Sequence, residues 1–301
     1  MRRALKWLGI LVAALLIAVG GLLTYVWFAS EAMLAERYDR AGQALEVPDD
    51  PASVEEGKRL AVARGCADCH GADLGGAVLD VGIAKFWGPN LTSHPDGAVT
   101  RLPDPASWEL AIRHGIGSDG RPLLMMPAHE LVRLPDAELG KIIAYARSAP
   151  PVSRTPKPTE LSMLVRALGV FGQFPLITVQ LADHALSAAS KPPRAATVEY
   201  GEHLAKMGCI GCHGDGLSGG RIPGTPSSVP EVANLTPDPE TGLGRWTLAD
   251  FTAAIRTGKR PDGSAIDPFM PATSFAALDD VELGALWAYF QSLPPKPKGG
   301  R

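Results

Sequence analysis

The sequence predicts an all-α protein. Two tandem lobes of one kind follow an N-terminal transmembrane helix and are joined by an apolar interdomain strap. Three observations predict this. Leu8 to Phe28 run for 21 residues without a charge, enough to cross a bilayer as a helix of about 30 Å. A long series of residues recurs at a period near 144. Each copy also carries three stretches bounded by helix start and stop signals.

The first element is the anchor, residues 1–30. Arg2, Arg3 and Lys6 precede the apolar run, and such a basic flank stays inside, which sends everything after Glu31 outside. The length favours an uncleaved anchor over a cleaved signal peptide, although Ala29 and Ser30 are compatible with a cleavage site. Residues 31–51 read as a polar neck ending in Pro48, Asp49, Asp50 and Pro51.

The first lobe spans 52–151. Its first helix is expected to start at Ser53, because Ser53 with Glu56 matches a capping box. A second helix lies near Ala106 to His114. A third runs from Asp136 to Ser148 and is stopped by Pro150 and Pro151. The second lobe, 195–296, repeats this order. Thr247 with Asp250 opens its second helix near Leu248 to Thr257, and its third, Asp279 to Ser292, stops before Pro294 and Pro295.

The strap, 152–194, begins and ends in proline clusters. Leu161, Leu164, Val165 and Leu168 fall at helical spacing on one face. Gly172 and Pro175 break that pattern before a second apolar run, Leu176 to Leu181. The run is too interrupted for a second membrane span. The expected arrangement packs the strap between the lobes, and the alternative is a surface that rests on the membrane or docks a partner subunit.

The repeat is what makes the two lobes one kind. Gly57 matches Gly201, and Gly75-Gly76 match Gly219-Gly220. Asn90-Leu91-Thr92 match Asn234-Leu235-Thr236, Glu138 matches Glu282, and Tyr145 matches Tyr289. The formal charge of -3 offers no general basic surface for nucleic acid. Glycine (33) and proline (27) are abundant, which fits short helices separated by long ordered loops. Lobes this small bury little apolar surface alone, so a large flat cofactor would complete their cores.

The chemistry-bearing residues lie within the repeat. Cys66, Cys69 and His70 form a C-x-x-C-H signature, and Cys209, Cys212 and His213 form another; together they use all four cysteines. The pattern is that of c-type haem attachment. Two thiols three positions apart on one turn can bond to the two vinyl groups of one porphyrin, and the adjacent imidazole then meets the iron. The expected cofactors are two covalently bound haem c groups, with His70 and His213 as proximal ligands. A zinc site or a redox dithiol would leave both histidines and two Met-Pro sequences unexplained. Those sequences, Met126-Pro127 and Met270-Pro271, supply the candidate sixth ligands. Met125 is a neighbour of Met126 without a following proline. His94, His114 and His129 offer bis-histidine alternatives in the first lobe, but His114 aligns with Thr257. Met33, Met163 and Met207 lack a repeat partner and read as packing residues, while His184 and His203 read as surface or packing residues. Arg113 and Arg256 read as residues of solvated helix faces, or else as propionate partners.

At these residues the chain resembles the cytochrome c family, specifically a membrane-anchored dihaem cytochrome c with tandem class I domains. The resemblance implies that the first and last helices of each lobe cross closely, with Gly57 facing Tyr145 and Gly201 facing Tyr289. It implies a sixth ligand from each Met-Pro loop, and haem attachment on the outer side of a bacterial inner membrane, which makes the haem domains periplasmic. The Asn-Leu-Thr segments resemble those of dihaem cytochrome subunits of membrane-bound dehydrogenases. Their Asn90 and Asn234, with Trp87 or Arg245 nearby, are candidates for haem propionate contacts; the alternative is a loop-stabilising Asx-turn.

The function so implied is electron transfer at the outer face of the membrane, from a dehydrogenase or quinol donor to a respiratory acceptor. Expected partners are the cell membrane and a redox protein: a dehydrogenase, an oxidase or a soluble cytochrome. Two saturated irons make the chain an electron-transfer protein or dehydrogenase subunit rather than a catalyst itself. The alternative is a dihaem enzyme such as a cytochrome c peroxidase, which needs an open sixth site and is disfavoured by the equal Met-Pro loops.

Overall fold

The computed structural model describes residues 2–80, 84–154, 157–188, 191–223, 225 and 227–301. Helices dominate. α1 (Arg2–Ala35) is unbroken, running beyond Phe28 and through Glu31. Its most apolar window has a mean hydropathy of 2.4, and its only buried residues, Val26 and Ser30, lie one turn apart near its end.

The first lobe contains α2 (Pro51–Ala63), α3 (Cys66–His70), α4 (Ala98–Arg101), α5 (Pro105–His114), α6 (Ala128–Leu131) and α7 (Asp136–Ser148). The strap carries α8 (Met163–Val170) and a 3-10 turn, His184–Ala188. The second lobe contains α9 (Val198–Gly208), α10 (Ile210–His213), α11 (Leu248–Thr257), α12 (Ala272–Phe275) and α13 (Asp280–Ser292).

The ends of most main helices agree with the sequence signals, and Thr247 and Asp250 form the expected capping box. α2 differs. It starts at Pro51, and Asp50 caps it by accepting the Ser53 amide at 3.0 Å. A carboxylate followed by proline at the first helical position is a stronger start than the serine. Glu56 instead pairs with Arg59.

The structure also contains a small sheet that the sequence did not announce. β1 (Val78–Asp80), β2 (Ala84–Trp87) and β3 (Glu160–Leu161) pair antiparallel in that order. Strands this short are below the length at which alternation becomes a signal. β3 takes Leu161 out of the expected helix, and Ser162 caps α8 instead.

In each lobe the first and last helices cross at a glycine, as the resemblance implies. A methyl on Gly57 would overlap the Lys141 carbonyl and sit 3.2 Å from Tyr145 Cβ. One on Gly201 would overlap the Ala285 carbonyl and sit 2.7 Å from Tyr289 Cβ. Glycine is therefore required for the close approach of two helix backbones, which offsets its poor helix propensity.

The strap does not pack between the lobes. Val165 and Leu176 join Phe86 of the first lobe and Met33 and Leu34 of α1, and Ile177 and Val179 cover Ile116. The lobes instead meet directly. Leu60, Leu131 and Leu134 share one core cluster with Tyr200, Leu204, Met207 and Leu283. Arg64 crosses this seam, reaching Glu138 at 2.8 Å and Glu282 at 2.7 Å. Arg59 reaches Glu282 at 2.6 Å. The two glutamates are repeat equivalents, so one pair of arginines from α2 satisfies the same position of both lobes. The physical reason for the correction is that α2 and α6 already present apolar faces that α9 and α12 can bury, leaving no room for the strap.

Candidate functional site

Each C-x-x-C-H segment is a short helical turn directly after the first helix of its lobe. Both histidines are buried. His70 Nδ1 donates to the Pro89 carbonyl at 2.9 Å, and His213 Nδ1 donates to the Ala233 carbonyl at 2.7 Å. A carbonyl only accepts, so the proton sits on Nδ1 and the lone pair on Nε2, the tautomer a metal ligand needs. Burial lowers both imidazole pKa values and only partly yields to those hydrogen bonds, which keeps the rings neutral. The loop holding Pro89 lies against the motif itself: a methyl on Gly88 would overlap the Cys69 carbonyl.

Neither cysteine pair forms a disulfide. Burial in apolar surroundings pushes a thiol at Cys66 up to about 11 and at Cys209 to about 12, unlike the activated cysteines of dithiol redox enzymes. The motifs stay in separate lobes, and among the described residues no three His, Cys, Asp or Glu side chains converge as metal donors.

In the second lobe Cys209, Cys212, His213 and Met270 line one cleft with Phe251, Leu286 and Phe290. The walls are mostly apolar and include both a thioether and an imidazole, a donor set that suits a flat apolar group carrying an iron. In the first lobe Cys66 and Met126 pack against the shared core. Trp87, which lies in β2 next to Gly88, has a buried indole N–H without a protein partner. Such an orphan donor fits an acceptor on a bound group, as a propionate would be.

The two methionine loops are held differently. The strap hydroxyl of Thr178 donates to the Met126 carbonyl and accepts the Ala128 amide at 3.2 Å. The Met125 amide donates to the Leu176 carbonyl at 3.1 Å. The Met270 loop closes on itself, its amide bonding to the Asp267 carbonyl at 3.0 Å. Thr178 was not picked out from the sequence. Its signal is that it is the only hydroxyl in the run Leu176 to Leu181.

Asn90 and Asn234 share one hydrogen-bond pattern, to which Asn234 adds a bond to the Thr241 hydroxyl at 3.0 Å. Each side-chain oxygen accepts the amide and hydroxyl of the threonine two residues on. Each side-chain nitrogen donates to the chain that follows the last helix of its lobe, at Val152 and at Lys296, 2.8 and 2.7 Å away. These are Asx-turns that also tie each lobe shut.

The remaining histidines contact protein neighbours, but His129 Nδ1 and His203 Nε2 are buried without a hydrogen-bond partner among the described residues. His114 bonds to His184 at 2.8 Å and lies 3.3 Å from Glu109. His94 accepts the Asp96 amide. His129 lies on α6, 4.0 Å from Glu130, and His203 stacks on Tyr200. Arg113 departs from the expected solvated face. It is fully buried, pairing with Asp136 at 2.5 Å and Glu109 at 3.5 Å. Arg256 is exposed and reaches Asp280 at 3.1 Å.

The short helix after each methionine loop packs on the other lobe's C-x-x-C-H turn. Ser274 of α12 donates to Asp68, between Cys66 and Cys69, at 2.7 Å. Glu130 of α6 lies against Gly211, between Cys209 and Cys212, where a methyl would stand 2.8 Å from its Oε1. Glu130 and Ser274 are repeat equivalents, as are Asp68 and Gly211, so the cross-contacts are reciprocal.

Comparison with known proteins agrees with this geometry. The family described as "Cytochrome c" matches residues 54–150, and that described as "Cytochrome C oxidase, cbb3-type, subunit III" matches residues 196–290. The cytochrome c subunit of a quinone alcohol dehydrogenase from Gluconobacter oxydans is 41% identical over 100 residues, 32% of this chain and 21% of that protein. A diheme cytochrome c-type protein of Cereibacter sphaeroides is 36% identical over 30% of this chain and 34% of its own. The fructose dehydrogenase cytochrome subunit of Gluconobacter japonicus is 26% identical over 83% of this chain and 54% of its own. The chain therefore spans at most about half the length of these relatives.

Proposed function

We propose that this chain is a dihaem electron carrier anchored to a bacterial inner membrane, a reading supported by the cytochrome c model that matches its first lobe and the cbb3-type cytochrome model that matches its second. Cytochrome c domains bind haem c covalently, and the haem, when bound, supplies a one-electron redox couple. The chain's own residues do the rest. In this reading residues 52–151 and 195–296 are the two haem domains, 1–30 the anchor, 31–51 the neck and 152–194 the strap. Cys66 with Cys69, and Cys209 with Cys212, tether one haem each. His70 and His213 would hold the irons through Nε2, and Met126 and Met270 would supply the thioether ligands. A soft neutral thioether favours the reduced state relative to a second imidazole. Asn90 and Asn234 hold the loops that carry the histidines' carbonyl partners.

The observation that carries this reading is the reciprocal packing of each methionine-loop helix on the other lobe's C-x-x-C-H turn. It brings the C-x-x-C-H turns of both lobes to one seam, which suits transfer between two centres. The dehydrogenase subunits among the relatives named above support a dehydrogenase as the donor; the acceptor in this reading is a respiratory oxidase or a soluble cytochrome. The basic flank of α1 supports a periplasmic position for both lobes. A peroxidase reading finds no support in these relatives.

The test is an optical spectrum of the full chain, oxidised and reduced, with pyridine haemochrome quantitation. The expected result is two c-type haems per chain, both low-spin, with the near-infrared methionine-to-iron band. One haem per chain, or a high-spin centre that binds carbon monoxide at neutral pH, overturns it.

A further inference from the structure

α1 does not stand apart from the lobes. Its last turns carry α8. Val26 and Ser30, the buried pair of α1, belong to the stretch where α8 packs. The Arg166 guanidinium lies over the Trp27 ring, 4.4 Å from its centroid. It also donates to Ser30 Oγ at 2.8 Å and to Glu31 at 2.7 Å. Arg166 thus fixes the height of α8 along α1, level with residues 27 to 31.

That height is where a bilayer ends. From Leu8 to Phe28 α1 rises about 30 Å, the thickness of the hydrocarbon core. Phe28 is 68% exposed and Tyr25 57%, aromatic side chains of the kind that sit at the headgroup level. Any apolar side chain that the protein leaves open at this level meets lipid rather than bulk water.

α8 leaves such a face open. Val165 is fully buried against the first lobe and the end of α1. Leu164 and Phe171 are 55% and 52% exposed. They are seven positions apart, with half-buried Leu168 between them, so the three share a stripe on one helical face. The only charge in α8 is Arg166, and it is turned to α1 and not to that stripe.

On the reading of α1 as a membrane anchor, we propose that α8 is a second membrane contact, an interfacial helix that presses Leu164, Leu168 and Phe171 into the outer headgroup region. The occupant is the lipid surface, because the stripe continues the interface that α1 has already entered. Two contacts, one spanning and one lying flat, fix the tilt of the first lobe over the bilayer where one helix alone would let it swing. From α8 the strap continues to Leu176 and Thr178, which hold the Met126 loop. The first lobe is therefore the membrane-proximal one, and its site is tied to the docked segment.

The experiment places single nitroxide labels on the full-length holoprotein in phosphatidylcholine nanodiscs. The positions are Leu164→Cys, Phe171→Cys, Leu15→Cys within α1, and Ala253→Cys on the exposed side of α11. The native cysteines are bonded to haem and do not compete, and an unchanged haem spectrum verifies each variant. Accessibility to oxygen, which partitions into lipid, is compared with that to a water-soluble nickel chelate. The expected oxygen-to-nickel ratio at 164 and 171 is several-fold above that at 253 and approaches that at 15. Water-like ratios at 164 and 171 with a lipid-like ratio at 15 overturn the docked helix and leave the anchor standing. Labels at 164 and 171 shielded from both reagents indicate a second copy of the chain on this face and also overturn it. A water-like ratio at 15 removes the anchor, and the proposal with it.

Discussion

At the scale of single residues, the site depends on groups that hold ligands as much as on the ligands. Pro89 and Ala233 set the imidazole tautomers through their carbonyls. Thr178 does for the Met126 loop what nothing outside its own loop does for Met270 among the described hydrogen bonds. Thr178→Val keeps shape but removes the hydroxyl's bonds to the Met126 carbonyl and the Ala128 amide, which still bond to each other at 2.8 Å, at a cost of about 0.5–1.5 kcal/mol. The expected outcome is a near-infrared methionine-to-iron band reduced by up to half, with the share from Met270 intact. Thr178→Ser restores the band. A uniform loss from both sites would show general unfolding instead.

At the scale of elements, the seam between α2, α7 and α13 is an electrostatic joint inside an apolar one. Arg64 and Glu282 have little or no solvent contact and Glu138 little more. Buried ion pairs add little net stability but are costly to break one-sidedly, because the abandoned charge has no water. Arg64→Met leaves Glu138 without a cation and with only the Tyr200 hydroxyl at 3.5 Å, and leaves Arg59 as the sole cation on Glu282. The expected loss is about 3 kcal/mol or more, read as a lower urea midpoint for the whole chain. An unchanged midpoint would show that the lobes do not unfold as one unit. The cap at Asp50 and the strand at Leu161 belong to this scale too. Both departed from the sequence expectation because a neighbouring residue, Asp50 in one case and β2 in the other, competed successfully for the same backbone groups.

At the scale of the whole molecule, the lobe seam holds two titratable groups with opposite shifts. Burial raises Glu130 to about 7 from an unfolded value of 4.5. Burial, reinforced by nearby cations, lowers His203 to about 4 from 6.5. A raised carboxyl pKa contributes stability that is complete below 4.5 and lost as pH rises through 7. A depressed imidazole pKa contributes stability that is complete above 6.5 and lost as pH falls through 4. Between pH 4.5 and 6.5 the two slopes oppose each other, so thermal stability of the wild type is expected to be nearly flat there. Glu130→Gln should leave stability falling as pH falls, and His203→Gln should leave it falling as pH rises. Parallel pH profiles for all three proteins would count against the pairing.

The sequence by itself determined the local and periodic features: the N-terminal apolar run, the two C-x-x-C-H turns, the Met-Pro loops, and the repeat that makes one lobe of the other. These are legible because helix periodicity, capping residues and covalent attachment spacing act over a few neighbouring positions. Gly57 and Gly201 were legible only through the resemblance, since nothing local says what a glycine must let pass. The tertiary structure alone decided where the strap lies, that Arg113 is buried, that Thr178 meets Met126, and that each methionine-loop helix packs on the other lobe's C-x-x-C-H turn. Those outcomes depend on which apolar faces find each other across long stretches of chain. That choice is made by total buried area and polar satisfaction over the whole molecule, and no short window of residues contains it.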